Sequence, residues 1–390
     1  MRFIPVLTAI LALTSSSLAA KIEGVYTGTL GKTNVVFKLE KPGGTDLSGM
    51  YYYRKFSRDI QLNGTLSGSS LTLEERGLYG AQSKAKLSLK LEGNGFSGTW
   101  IDSKSGKTLP VKLQAVTGPE LNAIRLPSTP LLRRWKLEEP YEYLRFDAPL
   151  KVSKLEKVSG KNVQWWLEPK SNVAFFRLAG QSKSTQSKST QSKFAQSKSA
   201  QAKAVNDALT DEQYGMASSA LQCPNDGPNG FSYTSRIAWY SQRILSVTGA
   251  AYYDCGGAHP DGYNANLTLD LATAKVLKLE DLYRFVAIPQ GLNLQTQEPF
   301  ELFSQFTLAR ATVLQKLISQ EVKSFSDGLN VDCADVYQSE EVFQFITWYV
   351  SPDGLVVQPS FPHVAAACEN DFLLPYAKLK PYLAPNSPLK

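Results

Sequence analysis

The chain has 390 residues, 43% of them hydrophobic and 20% charged, with a formal net charge of +7. That charge hides two opposite halves: residues 21–203 carry 30 Lys and Arg against 15 Asp and Glu, a net of +15, whereas residues 204–390 carry 11 against 20, a net of −9. The basic half suits an anionic envelope polymer and the acidic half a basic protein. No nucleic-acid-binding motif accompanies the positive charge, and after residue 20 no apolar run approaches the roughly 18 residues that a membrane-spanning helix needs.

In chain order, Arg2, the apolar run 3–13 and Ser17-Leu18-Ala19 read as a secretory signal over residues 1–20, cut after Ala19 or Ala20. No cysteine stands at the cleavage point to carry a lipid anchor. The expected location is therefore periplasmic or secreted. In that oxidising compartment Cys223, Cys255, Cys333 and Cys368 are expected as two disulfides, neighbour paired with neighbour because this closes the shortest loops.

Residues 21–118 alternate polar and apolar side chains in short runs such as Val35-Val36-Phe37-Lys38-Leu39 and Leu87-Ser88-Leu89-Lys90-Leu91. Leu47-Ser48-Gly49, Leu66-Ser67-Gly68 and Phe96-Ser97-Gly98 punctuate them. This spacing predicts an all-β antiparallel meander curled into a small barrel or sandwich. It resembles small barrel-like modules of bacterial envelope proteins, a resemblance too general to imply a function. Residues 119–134, with Pro119, Pro127 and Pro130, read as a linker.

Residues 135–390 read as an α+β domain, an antiparallel sheet with helices packed on one face. Strand-like runs occupy 143–146, 163–167 and 173–178. A five-residue repeat then starts at Gln181, Gln186, Gln191, Gln196 and Gln201. Too polar to bury a core, it is expected as a disordered insertion over 181–205. A helix is expected within 299–324, where Phe303, Phe306, Val313, Leu314, Leu317 and Ile318 form an apolar stripe.

The most informative stretch is Tyr252-Tyr253-Asp254-Cys255-Gly256-Gly257-Ala258-His259, at the end of a β-branched and aromatic run over 244–253. Paired glycines after a strand shape the backbone to aim a side chain or admit a partner. A strand follows at 264–270, then the turn Asp270-Leu271-Ala272-Thr273-Ala274-Lys275 and Leu277-Lys278-Leu279-Glu280-Asp281-Leu282, which leads into a helix. Farther on stand a strand, an Asp353-Gly354 turn and a strand, and then Leu374-Pro375-Tyr376 with Leu379 and Leu383. The order resembles the C-terminal domain shared by a lysozyme-sensing anti-sigma factor (RsiV) and a peptidoglycan deacetylase (PdaC). There the elements run aromatic-x-x-Gly-Gly-Ala-His, Asp-x-x-Thr-Gly-Lys, Leu-x-Asp-Leu-Phe, with glycine where this chain has Ala274. The resemblance covers about half the chain, and it implies a helix over 204–221 and makes the repeat over 181–205 a loop within the domain rather than a boundary.

Little in the sequence supports catalysis. A Ser or Cys nucleophile needs a base, and His259 and His363 are the two histidines available. No nucleophile elbow, zinc-protease helix or phosphate loop is present, and nothing resembles the separate metal-binding domain in which the related deacetylase does its chemistry. His259, Asp261 and His363 could converge as metal ligands, but histidines in loops without ligand spacing are more often bonded to backbone. No cofactor and no metal is expected.

The candidate ligand-binding residues are Tyr252, Tyr253, Gly256, Gly257, Ala258, His259 and Tyr263. Tyrosines beside a backbone-exposing turn bury contact area at low entropy cost, and of the Tyr252–Tyr253 pair one should point outward while strand alternation turns the other to the core. With the ligand class that the resemblance implies, the expectation is an exported, non-enzymatic envelope protein that recognises a lysozyme-like protein or peptidoglycan. The alternative is a metal- or His-dependent hydrolase of cell-wall material.

Overall fold

The computed structural model describes residues 22–76, 84–179, 193–223, 230–255, 259–322, 331–361, 365 and 368–390. The signal segment, the repeats before Lys193, the candidate residues Gly256, Gly257 and Ala258, and His363 lie outside the described residues. The chain forms two compact units, Met1–Lys55 with Ile60–Glu120, and Phe56–Asp59 with Leu121–Lys390.

The first unit is a closed antiparallel barrel of β1 (Gly24–Leu30), β2 (Thr33–Gly43), β3 (Asp46–Tyr53), β4 (Ile60–Ser67), β5 (Ser70–Glu75), β6 (Ala85–Glu92), β7 (Gly95–Asp102) and β8 (Thr108–Ala115). Each strand pairs with the next, and β8 returns to pair with β1 from Tyr26↔Ala115 to Leu30↔Val111. Alternate residues point inward, so that Tyr26, Phe37, Tyr51, Leu73, Leu87, Phe96 and Leu113 form the interior. The recurring Ser-Gly pairs have two uses. A Cβ at Gly49 or Gly98 would come within 2.4 or 2.0 Å of the carbonyl oxygen of Lys38 or Ser88, so glycine lets neighbouring strands press together where the sheet coils. Gly68, at φ +58, instead turns β4 into β5.

The second unit departs from expectation at its start. The stretch read as a linker holds α1 (Gly118–Ala123) and leads into α2 (Pro130–Glu138), whose Leu132 and Trp135 are buried. Thr129 and Pro130 were the helix-start signal: Leu132 N donates to Thr129 Oγ1 at 3.4 Å, and proline sits in the first turn. The strand expected over 143–146 is also helical, α3 (Pro140–Arg145). Its Tyr141, Tyr143, Leu144 and Arg145 are all buried, so no amphipathic period marks it as a helix. Arg145 donates to both oxygens of Asp59, at 3.0 and 3.1 Å, and to Glu142.

Among the described residues three antiparallel sheets share the β structure of this unit. The first has the order β11-β10-β9, from β9 (Lys151–Val158), β10 (Lys161–Leu167) and β11 (Ala174–Leu178). Helix α4 (Lys193–Gln222) follows, and it corrects the reading of the repeat: residues 193–205, expected as disordered, are its first turns, with Val205 buried. The last repeat, Gln201-Ala202-Lys203-Ala204-Val205, exchanges serine for alanine and so gains helix propensity, and tertiary burial of Val205 and Leu209 anchors it.

The central sheet comprises β12 (Phe231–Tyr240), β13 (Ile244–Tyr253), β15 (Leu267–Asp270) and β16 (Lys275–Val276), with β14 (Asp261–Asn264) also paired to β13. The single strand expected over 264–270 is therefore broken, at Ala265 and Asn266. Asn266 Nδ2 there donates to Gln358 Oε1 at 2.6 Å. Asp270 accepts from Ala272 N, Thr273 Oγ1 and Arg243, closing the tight turn in which Ala274 holds φ +57.

Helices α5 (Leu279–Leu282), α6 (Phe300–Val322), α7 (Val331–Val336) and α8 (Tyr376–Leu379) accompany the last sheet, β17-β18-β19, made of β17 (Ile346–Val350), β18 (Gly354–Pro359) and β19 (Phe372–Pro375). The stripe on α6 packs as its spacing implies: Phe306, Leu314 and Ile318 are buried, the last two in one cluster with Leu355, Val357 and Leu374. Disulfides join Cys223 to Cys255 and Cys333 to Cys368, the neighbour pairing expected. Among the described residues no helix is long and apolar enough to cross a membrane.

Candidate functional site

The candidate residues sit where β13 ends. Strand register assigns their faces, because residues directly opposite in an antiparallel pair share a side of the sheet. Tyr253 stands opposite Phe231 and Asp261, and Ala251 opposite Tyr233 and Tyr263, so these residues share one face. Tyr252, opposite Ser232 and Gly262, is on the other. Tyr252 is 45% exposed and Tyr263 41% exposed, which places an accessible tyrosine on each side of the same strand end.

Covalent and hydrogen bonds hold this end. The Cys223–Cys255 disulfide ties the residue after α4 to the close of β13. Tyr253 and Tyr263 have ring centroids 6.2 Å apart, and the Tyr253 hydroxyl donates to Asp261 Oδ2 at 3.3 Å. The Tyr263 hydroxyl donates to Met216 Sδ at 3.5 Å, which seats this ring over α4 one turn beyond Glu212. Burial holds the Glu212 carboxyl above the usual carboxylate range. Burial, then the negative charge of Glu212, raises the hydroxyls of both Tyr233 and Tyr263. Gly249 makes room on this face, since a Cβ there would lie 2.9 Å from the Tyr233 hydroxyl.

His259 is exposed, with Nδ1 3.1 Å from the Pro260 carbonyl oxygen. Asp261, considered with it as a metal ligand, instead serves the hairpin: Oδ1 accepts from Gly262 N at 2.7 Å and Oδ2 from Tyr253. No group of three or more His, Cys, Asp and Glu side chains converges among the described residues. The arrangement offers aromatic faces and carboxylates on a stapled strand end, groups suited to contact with a partner's basic and polar surface. Sequence reasoning missed Glu212, Met216 and Tyr233. They lie on a helix and a strand remote from the motif, and no local pattern could have joined them to it.

No family model matches the chain, and no curated protein matches it. Solved structures similar to parts of it include two of the DUF3298 family. One is a DUF3298 family protein from Pseudomonas aeruginosa PAO1, 14% identical over 40% of this chain and 62% of its own, with a TM-score of 0.27. The match thus spans less than two thirds of that protein. The other is a member of the same family from Bacteroides fragilis NCTC 9343, 12% identical over 61% of this chain and 93% of its own, with a TM-score of 0.30. Neither likeness is close enough to carry the fold or the site.

Proposed function

We propose that this chain is an exported, non-enzymatic envelope protein that recognises a cationic lysozyme-like protein through the tyrosine-flanked end of β13 and β14. One observation carries the reading: Tyr252 and Tyr263, 45% and 41% exposed, stand on opposite faces of a strand end tethered to α4 by a disulfide. Rigid, exposed aromatics of this kind are favoured anchors at interfaces. The net −9 of residues 204–390 favours a basic protein over the neutral or anionic surface of peptidoglycan. The resemblance of the Tyr252–His259 motif to the domain of the lysozyme-sensing anti-sigma factor supports the same ligand class. The two disulfides fit an oxidising compartment and hence export.

The test is binding of the chain from residue 21 onward to hen egg-white lysozyme and, separately, to purified peptidoglycan. Lysozyme should bind with an association rate that falls as salt rises. Tyr252→Ala, Tyr263→Ala and His259→Ala should each weaken the complex by about 1–3 kcal/mol with little change in melting temperature. Binding to peptidoglycan alone would move the assignment to the glycan. Absence of binding to both, or unchanged affinity in all three variants, would refute the reading.

A further inference from the structure

A second chemical feature lies in the barrel, far in sequence from the tyrosine hairpin and independent of the function proposed for it. On β5 the inward-facing row runs Leu71, Leu73, Glu75, so strand alternation places a carboxylate where a third apolar residue would be expected. Glu75 is 6% exposed. The Tyr51 hydroxyl, at 2.5 Å, and the Trp100 indole Nε1–H, at 2.7 Å, both donate to its Oε1. Among the described residues nothing donates to Oε2 and no lysine or arginine pairs with this carboxylate. The neighbouring segment 77–83 reads Gly-Leu-Tyr-Gly-Ala-Gln-Ser and carries no cation either.

A carboxylate 6% exposed, with two neutral donors on Oε1 and no counter-ion, keeps Oε2 for a further donor. What surrounds it is suited to receive that donor from outside. Tyr51 and Tyr53, with ring centroids 5.6 Å apart, stand beside it at the end of β3, and Trp100 stands at the same end of β7. Ring faces attract a cation that approaches a carboxylate. Ile60 and Leu109, partly buried, lie at the same end of β4 and β8 and offer apolar surface to an alkyl stem. Burial, then the Glu75 charge, pushes the Tyr51 hydroxyl far up, so it remains a donor to the carboxylate.

We propose that this mouth of the barrel binds an alkyl cation, an ammonium or guanidinium group, with the Glu75 carboxylate as its counter-ion. Oε1 is held in place by Tyr51 and Trp100, and Oε2 receives the ligand N–H. A free small cation and the lysine or arginine side chain of a protein share this chemistry.

The Trp100 indole N–H reports on the site directly because it bonds the same carboxylate. It is to be followed by amide-and-indole NMR of the isotope-labelled chain from residue 21 onward and assigned by its loss in Trp100→Phe. The probes are n-butylguanidinium, its uncharged counterpart n-butylurea, and the blocked tripeptide Gly-Arg-Gly. n-Butylguanidinium should move the resonance saturably, with a Kd of about 10 mM or tighter, and n-butylurea should not. In Glu75→Gln the response should fall at least about tenfold, which is 1.4 kcal/mol. A tripeptide that binds as tightly as the small cation identifies a protein side chain as the source, and response to the small cation alone identifies a free amine or guanidine. No movement with either cation, an equal response to n-butylurea, or an undiminished response in Glu75→Gln would overturn the proposal. Should Glu75→Gln fail to fold, the comparison of charged and uncharged probes on the unaltered chain decides it.

Discussion

Replacing Arg145 by methionine tests the electrostatics of the second unit. The Arg145 side chain is fully buried. Its Nη2 donates to both Asp59 oxygens at 3.0 and 3.1 Å, its Nε and Nη2 to Glu142 at 3.0 and 2.9 Å, and its Nη1 to the Ser57 carbonyl at 2.5 Å. Burial by itself would lower the pKa of this guanidinium, but Asp59 and Glu142 outweigh it and hold the group above its ordinary range. Methionine fills much of the apolar volume and supplies none of these donors. Asp59, 4% exposed, would keep the Tyr141 hydroxyl at 2.8 Å as its side-chain partner, and Glu142 would keep the Ser218 hydroxyl. Breaking a buried pair from one side costs about 3–5 kcal/mol, and the two stranded carboxylates place this case at the upper end. Adding Asp59→Asn removes one stranded charge, so the double variant should be more stable than the sum of the two single losses by about 2–3 kcal/mol. Urea unfolding followed by tryptophan fluorescence and circular dichroism measures each term, and the Arg145→Met loss should shrink as pH falls through the Asp59 pKa, which burial holds above the usual carboxylate range and which loss of the arginine raises further. A single-variant loss under about 1 kcal/mol, or strict additivity, would show that these carboxylates are not dependent on the arginine.

Three further expectations follow from particular side chains. Burial raises the folded-state pKa of Glu212, so the fold carries a penalty that is absent below its ordinary 4.5, grows as pH rises through the raised value and stays constant above it. Glu212→Gln should therefore raise the melting temperature at neutral pH and lose this advantage near pH 4; an equal gain at both pH values would contradict the assignment. Ala274→Gly should stabilise by up to about 1 kcal/mol by relieving the left-handed φ of +57, and a loss in chemical denaturation would show that the turn favours the alanine. Removing either disulfide as a Cys-to-Ala pair should cost about 2–4 kcal/mol, and non-reducing mass analysis of exported protein should find no free thiol.

Local pattern determined much of this protein. Two-residue alternation from Val35 to Leu113 sufficed for an antiparallel meander because each strand has one wet face and one dry face, and the Ser-Gly pairs marked where the strands coil or turn, whereas the pairing of β8 with β1 decided for a barrel over a sandwich. The three-and-four spacing within Phe303, Phe306, Val313, Leu314, Leu317 and Ile318 was enough for α6, and short loop closure was enough to pair the cysteines. Tertiary structure decided the remainder, wherever burial came from all sides or from distant elements. Helix α3 carries no readable period because Tyr141, Tyr143, Leu144 and Arg145 are all enclosed, and the polar repeat becomes helical from Lys193 because Val205 and Leu209 find a core. Register across β12, β13 and β14 turned Tyr252 to one face and Tyr263 to the other. The partners of Glu75, Arg145 and Glu212 lie on other strands, helices and loops, and a carboxylate's chemistry depends on what the fold brings to it rather than on its neighbours in the chain.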